Sequence, residues 1–370
     1  MSAGFFETEL PRERTRKRAI AAGSKRHAEH GGGAIRAPED VVLCGCLTAM
    51  LATYYASVAP TGRVEESWLA DQHAPLPGSS EPERARVAKE LPPVIDGHVH
   101  VFPDPVFDAL WRWFEAHAWP IRYKLRAPDT MRFLFDRGVQ NIVALHYGHK
   151  NGMSRSLNHF VAELAKTEPR MIPFATVLPG EPEAADVLRE AKALGLCGVK
   201  LHCHVQTFAP DSPEAIEVFR SCDELGLPVL IHAGREPKSS AYRADPYALC
   251  AADRIERVLE MFPKLHLCVP HYGADEYDAY ASLLVRYENF WVDTTMVVGN
   301  FFPGVPLEKL AVRPDRIFYG SDFPNLPYAW NRELDVLAAA PMSDADRARL
   351  LGANVLSFVG IAAHEAHSTP

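Results

Sequence analysis

From Val94 onward, short apolar runs alternate with amphipathic segments along the rest of the chain. We interpret eight of these runs as strands. Nearly every one is followed by a segment with apolar residues at three- and four-residue spacing, as in helices. Strands that alternate with helices pair in parallel. Eight such units in roughly 270 residues predict an α/β fold, a closed (β/α)8 TIM barrel, which typically takes about 250 residues.

The predicted strands lie at 94–100, 141–146, 171–177, 197–202, 228–232, 265–271, 290–295 and 317–322. The predicted helices lie at 105–119, 128–137, 156–166, 182–194, 213–225, 246–262, 275–287 and 328–340, with two more at 344–351 and 353–359. An open doubly wound sheet is the rival fold, and it would carry a glycine-rich phosphate loop after the first strand. That position holds His98-Val99-His100-Val101-Phe102-Pro103 instead.

Residues 1–92 lack this alternation and form an irregular N-terminal extension, which we expect to be partly disordered. A basic cluster at 12–18 precedes an apolar stretch near 41–59, and a proline- and charge-rich tract follows at 73–89. The apolar stretch is long enough to span a bilayer, since about 20 apolar residues suffice. The alternative is a helix packed on the barrel, which its threonines and serine favour. We therefore expect a barrel domain at 93–362 and a short tail at 363–370.

Net charge and cysteine content limit the classes of binding partner and the cellular compartment that we expect. The formal net charge is -8 and the sequence pI is about 6.1, so no nucleic-acid partner is expected. The seven cysteines are scattered with no Cys-x-x-Cys pair, which suits a reducing compartment and argues against a thiolate zinc cluster. A cytoplasmic location follows, with a membrane anchor through 41–59 as the alternative. The expected partners are a small, anionic molecule and a second copy of the chain.

Polar residues collect where the predicted strands end. His98 and His100 alternate along one strand, so their side chains share a face. Because the carboxyl ends of barrel strands line the active site, the other strand ends are expected to converge there. These ends read Lys200-Leu201-His202, Ile231-His232-Ala233-Gly234, Pro270-His271-Tyr272-Gly273 and Gly320-Ser321-Asp322. A lone strand-end histidine is usually structural, but several aimed at one funnel with an aspartate indicate a metal site.

These motifs, in this order, resemble the signatures of the amidohydrolase superfamily. They are most similar to the branch of aminocarboxymuconate semialdehyde decarboxylase-like proteins, and 352–356 resembles the closing helix of that branch. The resemblance implies one divalent metal, zinc, with His98, His100, His232 and Asp322 as ligands. It places His271 against the substrate. Asp322 and His271 are then the expected catalytic residues, which take and return protons beside the metal.

Three further residues are candidates for substrate binding: Lys200, His202 and Arg235. A fourth-strand lysine is carbamylated between two metals in some superfamily members. We expect Lys200 instead to bind a substrate carboxylate or to pack structurally. Arg235 has two open interpretations, an anion contact or a solvated loop charge. His204 and Gln206 follow Lys200 closely enough to reach the pocket, and His146 and His149 follow the second strand.

The remaining polar and aromatic residues near the first strand have structural interpretations. Asp96 is expected to form buried hydrogen bonds. The three tryptophans after the strand, Trp111, Trp113 and Trp119, are expected to pack in a helix, with lining of the pocket as the alternative. The leading functional hypothesis is a metal-dependent hydrolase of a small amide, ester or lactone. The alternative is a non-oxidative decarboxylase of a small unsaturated or aromatic acid. A non-catalytic barrel would lack ligands, and here the full set is present.

Overall fold

The computed structural model describes residues 80–235, 241–299 and 304–361. The predicted apolar helix near 41–59 and the tail at 363–370 lie outside these residues. Among the described residues, no helix has both the length and the apolar content needed to cross a membrane. The five cysteines of this part of the chain carry free thiols. The cytoplasmic location and the homodimer stay predictions.

Eight strands of the described chain form one sheet in sequence order, and every neighbouring pair is parallel. They are β1 Val94–His100, β2 Val139–Leu145, β3 Met171–Thr176, β4 Gly198–His202, β5 Val229–His232, β6 Leu267–Val269, β7 Phe290–Asp293 and β8 Ile317–Phe318. Just after β8, the Asp322 N–H donates to the carbonyl of His98 (2.9 Å). The His100 N–H donates to the carbonyl of Phe323 (2.7 Å). These bonds join the last strand to the first, so the predicted barrel is confirmed.

Helices follow most of the strands. They are α1 Asp104–His117, α2 Ala127–Asp136, α3 Met153–Thr167, α4 Ala184–Ala193, α5 Cys203–Gln206, α6 Pro213–Leu225, α7 Pro246–Leu249, α8 Ala252–Met261, α9 Tyr277–Arg286, α10 Arg332–Ala339, α11 Asp344–Ala348 and α12 Asn354–Val359. Two 3-10 turns lie at His271–Gly273 and Leu307–Ala311, and a π-helical turn at Arg349–Ala353 joins α11 to α12.

The structure differs from the sequence prediction mainly where functional residues lie. The single helix predicted at 246–262 is two helices, and Cys250 between them accepts a hydrogen bond from the Gly234 N–H (2.7 Å). The sixth and eighth strands end at Val269 and Phe318, before His271 and Asp322, whose φ angles are 56° and 68°. Left-handed backbone cannot continue a strand, and for residues other than glycine it carries strain that is common at active sites.

The barrel interior changes from apolar to polar along the strands. Leu230 precedes His232 on β5, and Trp291 precedes Asp293 on β7. Residues two apart share a strand face, so each pair points the same way. Leu230 and Trp291 belong to one buried apolar cluster with Phe358 of α12. The amino-terminal half of the barrel is therefore packed with apolar side chains, and the polar layer lies at the carboxyl end, where such barrels build their sites.

The segment 80–92 has no helix and only its own turns, yet it lies against the barrel. The Tyr123 hydroxyl, just before α2, donates to Glu83 (2.5 Å). The Trp330 indole N–H, just before α10, donates to the carbonyl of Arg84 (3.0 Å). The segment thus contacts residues near both the first and the last strands, and we call it the strap.

Candidate metal centre

His98, His100 and Asp322 form a compact group at the carboxyl end of the barrel, which we call the carboxylate cluster. One ligand atom from each lies within 4.8 Å of the others, and all three residues are buried. The Asp322 Oδ1 lies 2.9 Å from the His100 Nε2 and 3.5 Å from the His98 Nε2. Two imidazoles and a carboxylate that converge in this way are a donor set typical of zinc.

The backbone around the carboxylate cluster is fixed by Asp96, which is fully buried. Its Oδ1 accepts hydrogen bonds from the N–H groups of His98 (3.1 Å) and Ser321 (3.0 Å), and its Oδ2 accepts from the Ser321 hydroxyl (2.5 Å). The structural role predicted for Asp96 is thus the observed one. At Gly320, a Cβ atom would lie 2.6 Å from the Cβ of His98, so only glycine allows β8 to approach the ligand strand this closely.

Asp293, at the end of β7, holds two histidines of the site at once. The His98 Nδ1–H donates to its Oδ2 (2.8 Å), and its Oδ1 accepts from the backbone N–H of His271 (2.8 Å). A carboxylate can only accept here, so the proton of His98 sits on Nδ1 and the lone pair on Nε2 faces Asp322. A metal-ligating histidine is commonly oriented by a carboxylate in this way. This arrangement is the best evidence that the residues fit a metal ion.

Burial controls the charge of the carboxylate cluster. Burial lowers the pKa of His98 well below its ordinary value, and the positive charge of Lys200 lowers it further. Burial likewise lowers the pKa of His100. Both imidazoles are therefore neutral at pH 7, as metal ligands must be. Burial alone would raise the pKa of Asp322, but the hydrogen bond from His100 and the nearby imidazoles outweigh it, and that pKa lies below the usual aspartate range.

Lys200 lies beneath the pocket, with no exposed surface. Its Nζ is 3.3 Å from the Nε2 of His98. Burial lowers the pKa of Lys200 to about 8, although the carboxylates of Asp293 and Asp322 oppose this shift. An amine with such a pKa is protonated in most molecules at pH 7 and gives this layer positive charge.

A second histidine group lies beside the first. His202 ends β4, His204 lies in α5, and His232 ends β5; one ring nitrogen from each lies within 4.8 Å of the others. We call this group the imidazole cluster. The rings of His202 and His232 stack at a centroid distance of 4.0 Å. His232, expected as a ligand together with His98 and His100, is thus gathered with His202 and His204.

His271 lies between the two clusters. Its ring centroid is 5.6 Å from that of His98 and 4.7 Å from that of His232. The His271 Nδ1 is 3.0 Å from the carbonyl oxygen of Thr295, which can only accept, so the proton sits on Nδ1. The other ring nitrogen, Nε2, lies 3.2 Å from the His232 Nδ1. In the neutral ring Nε2 therefore carries the lone pair, and it faces His232.

A pocket of about 910 Å³, counted to its open mouth, covers both clusters. The two clusters contribute His100, Asp322 and the whole imidazole cluster to its walls, and His271 completes the polar set. The opposite walls are aromatic: Trp113, Phe114, Trp119, Tyr147 and Tyr242. Trp113 and Trp119 thus line the pocket, which was the alternative to helix packing, whereas Trp111 stacks on Phe107 (5.2 Å).

The structure places several candidate residues away from the substrate space. Arg235 pairs with Glu276 (3.6 Å) and is not among the residues that line the pocket. Gln206 makes three backbone hydrogen bonds, to the N–H of His202 and to the carbonyls of Gly148 and Val177, so it ties three strand ends together. His146 lies 3.1 Å from the side chain of Asn158 and is fully buried.

Sequence reasoning did not select three residues that shape the site. Asp293 ends β7, but the predicted strand ran on to Thr295, so the reading of strand ends did not reach it. Tyr147 follows β2, and its ring contacts both His100 (5.7 Å) and His202 (4.9 Å). Arg243 lines the pocket, but nothing in the local sequence distinguishes it from Arg235. Loop residues of this kind have no pattern that a single sequence reveals.

The sequence matches the amidohydrolase family over residues 95–361, most of the chain. The chain belongs to the amidohydrolase family. The resemblance noted from the strand-end motifs is thereby confirmed for the family. The match begins at β1 and ends just after α12, so it covers every residue of both clusters. A search of curated proteins gave no match.

Solved structures share this amidohydrolase fold at low identity. The 5-carboxyvanillate decarboxylase of Sphingomonas paucimobilis is 18% identical, with a TM-score of 0.53 over 73% of this chain and 99% of its own. The 2,6-dihydroxybenzoate decarboxylase from Rhizobium is 18% identical, with a TM-score of 0.52 and coverages of 73% and 99%. A dihydroxybenzoic acid decarboxylase from a Polaromonas species, with bound manganese, is 17% identical, with a TM-score of 0.56 and coverages of 75% and 100%.

Proposed function

We propose that this amidohydrolase-family protein is a metal-dependent decarboxylase of a small aromatic acid. The observation that carries the proposal is the position of the carboxylate cluster at the base of an aromatic-walled pocket. Flat rings stack favourably on tryptophan and tyrosine walls. The solved structures named above are decarboxylases of hydroxylated aromatic acids, which supports the same substrate class here. This reverses our order of preference from the sequence, which favoured hydrolysis.

The metal that we propose is a single divalent ion, zinc, held by His98, His100, His232 and Asp322. Three of these four residues form the carboxylate cluster, and neutral imidazoles suit zinc better than manganese, which prefers oxygen ligands. When bound, the ion would polarise an oxygen of the substrate and offset its negative charge. Manganese in the Polaromonas enzyme makes metal identity a point to test.

We assign the proton transfer to His271. In the imidazolium form, Nε2 carries a proton that faces the pocket, while Nδ1–H stays bound to Thr295. As the bond between the ring carbon and the carboxylate breaks, its electron pair stays on the ring carbon, which takes the Nε2 proton. Carbon dioxide leaves, and a solvent proton restores the imidazolium. Asp322, with its lowered pKa, stays ionised throughout.

The remaining residues would bind and orient the acid. Lys200 lies beneath the pocket and adds positive charge that favours an anion, without lining the pocket itself. His202 and Arg243 do line it and would contact polar groups of the substrate. The aromatic walls would hold the ring in one plane and keep water away from the carbon that is protonated. We do not assign Arg235 a direct contact, because it pairs with Glu276.

Hydrolysis of a small amide, ester or lactone is the second candidate. It is favoured by the position of Asp322 beside two imidazoles, where it would take the proton of an attacking water. The two reactions differ in their atom balance. Decarboxylation releases carbon dioxide and adds one solvent proton to carbon, whereas hydrolysis adds one water oxygen to a product.

The experiment is an activity screen of the zinc-loaded full chain in deuterated, oxygen-18-labelled water. The panel contains hydroxybenzoic acids, small unsaturated acids, aryl esters and lactones, with His271→Ala as the inactive control. We expect carbon dioxide release from a hydroxybenzoic acid and one deuterium on the vacated carbon. Label from water in an ester or lactone product, with no carbon dioxide from any acid, would establish the hydrolase instead.

A further inference from the structure

The imidazole cluster of His202, His204 and His232 has the composition of a metal site in its own right. The His204 ring meets the other two nearly edge-on, at 87° to His202 and 83° to His232, with centroid distances of 4.5 and 5.2 Å. The three residues come from two adjacent strand ends and one helical turn, so the barrel backbone fixes their spacing. Three imidazoles plus one open position form a common zinc coordination set.

Packing alone does not account for this group. His202 is 8% exposed, and its Nδ1 atom is buried with no hydrogen-bond partner within residues 80–235, 241–299 and 304–361. Burying a polar nitrogen without a partner costs free energy, which an aromatic hydrocarbon ring at the same place would avoid. A bound cation would offset the cost of gathering several imidazoles around one point.

His232 belongs to two sets of residues. It is the fourth ligand in the ion site that we propose for the carboxylate cluster, but its ring stacks on His202. An ion held with His202 and His204 would therefore compete for this imidazole. It would also occupy the pocket, because all three members of the imidazole cluster line the wall. Occupation of the second site and substrate binding should thus exclude each other.

We propose that the imidazole cluster is a second divalent-cation site and that zinc bound there inhibits the enzyme. The inhibition half rests on the function proposed above, whereas the binding half stands on the geometry alone. The protein would be most active with one equivalent of zinc and would lose activity when free zinc rises further.

The binding test is calorimetric titration of the full-length protein, already carrying one equivalent of zinc, with further zinc. The wild type should show a second event near one equivalent. His204→Gln should weaken that event by roughly 100-fold or more, since changes that only perturb ligand orientation already cost about 10–100-fold. His159→Gln removes an exposed histidine that pairs with Glu190 and is the matched control for surface binding; it should leave the event unchanged.

The proposed cation site would be ruled out if the second zinc-binding event were lost in His159→Gln or persisted in His204→Gln. A His204→Asn variant and circular dichroism show whether a lost event reflects misfolding. The activity arm compares the rate with one and with five equivalents of zinc. We expect at least a fivefold fall in the wild type and none in His204→Gln. Two binding events with a constant rate would overturn the inhibition alone, and if no substrate is found, calorimetry still decides the site.

Discussion

The two histidine clusters face the same pocket but are built differently. The carboxylate cluster includes Asp322, and behind it Asp293 fixes the tautomer of His98. The imidazole cluster has no carboxylate member, and its rings are held largely against each other. An ion in the first cluster would meet a negative charge and a histidine whose proton is fixed by Asp293, whereas an ion in the second would meet imidazole rings without a carboxylate. Tight, catalytic binding is therefore expected on one side, and weak, reversible binding on the other.

The largest difference between the two clusters, in metal content and in turnover, should appear when the carboxylate ligand Asp322 is replaced. Asp322→Asn removes the negative charge from the carboxylate cluster, so we expect the first equivalent of zinc to be lost and turnover to fall by about 10³-fold. His204→Gln, on the other side, should reduce turnover at one equivalent by about tenfold or less. Metal content by elemental analysis and initial rates measure both. Equal losses in the two variants would remove the distinction between the clusters.

The second largest effect is expected from Asp293, the carboxylate that orients His98. In Asp293→Asn the amide oxygen keeps the hydrogen bond from the His271 N–H, so the amide nitrogen faces the His98 Nδ1. Because that nitrogen donates, the proton of His98 moves to Nε2 and the lone pair there is lost. We expect zinc affinity for the carboxylate cluster to fall by about 10–100-fold. Competition with a chelator measures the affinity, and Asp211→Asn, a substitution that breaks ion pairs to Arg254 and Arg257 outside the site, is the control. Unchanged affinity in Asp293→Asn would show that His98 needs no orienting carboxylate.

Asp96, which lies behind the carboxylate cluster, should make the stability of the protein depend on pH. Burial raises the pKa of Asp96 to about 7, above its unfolded value of 3.8. A raised pKa means that the folded protein binds the proton more tightly, so this stabilisation is complete below about pH 4 and is lost as pH rises through about 7. Relative to Asp96→Asn, the metal-free wild type should lose on the order of 2 kcal/mol between about pH 5 and pH 8. Denaturant titrations measure this, and parallel profiles would contradict it.

The smallest effect is expected at the aromatic wall beside the imidazole cluster. Trp113 stacks on Tyr242 (5.6 Å), and Tyr242 contacts the ring of His204 (4.5 Å). Trp113→Leu removes a stacking surface and leaves Asp322 and His271 unchanged, so KM should rise by roughly fivefold while kcat changes little. Steady-state kinetics on the best acid of the screen measures both constants. A fall in kcat with constant KM would place Trp113 in the chemistry rather than in binding.

Reading the strand ends brought many of these residues to notice, because in a parallel barrel the position of a residue along its strand tells at which end of the barrel it lies. The carboxyl ends of all strands meet at one face, so His98, His232, His271 and Asp322 come together without any local contact in sequence. The eight strands follow from the regular alternation, and the family from the resemblance of the strand-end motifs to those of amidohydrolases. These features depend on backbone topology, which the hydrophobic pattern encodes directly.

Other features depend on side-chain packing that the pattern does not encode. The ring of His232 lies with His202 because the two stack, and no spacing rule predicts a rotamer. The break between α7 and α8 depends on a hydrogen bond from Gly234 on another loop. The eighth strand ends at Phe318, four residues before its predicted end, and beyond it the Asp322 N–H bonds to the carbonyl of His98. In each case the deciding contact joins residues far apart in the chain.

The strap has a practical consequence for handling this protein. The chain connects each strand of the barrel to the next, except that no segment connects the last strand to the first. Glu83 and Arg84 contact residues on both sides of this junction, Tyr123 and Trp330. A fragment that starts at the first strand would leave the gap spanned only by the sheet itself. Expression designs should therefore begin no later than residue 80. Proteolytic removal of residues beyond that point should lower the stability of the barrel without removing any residue of the two clusters.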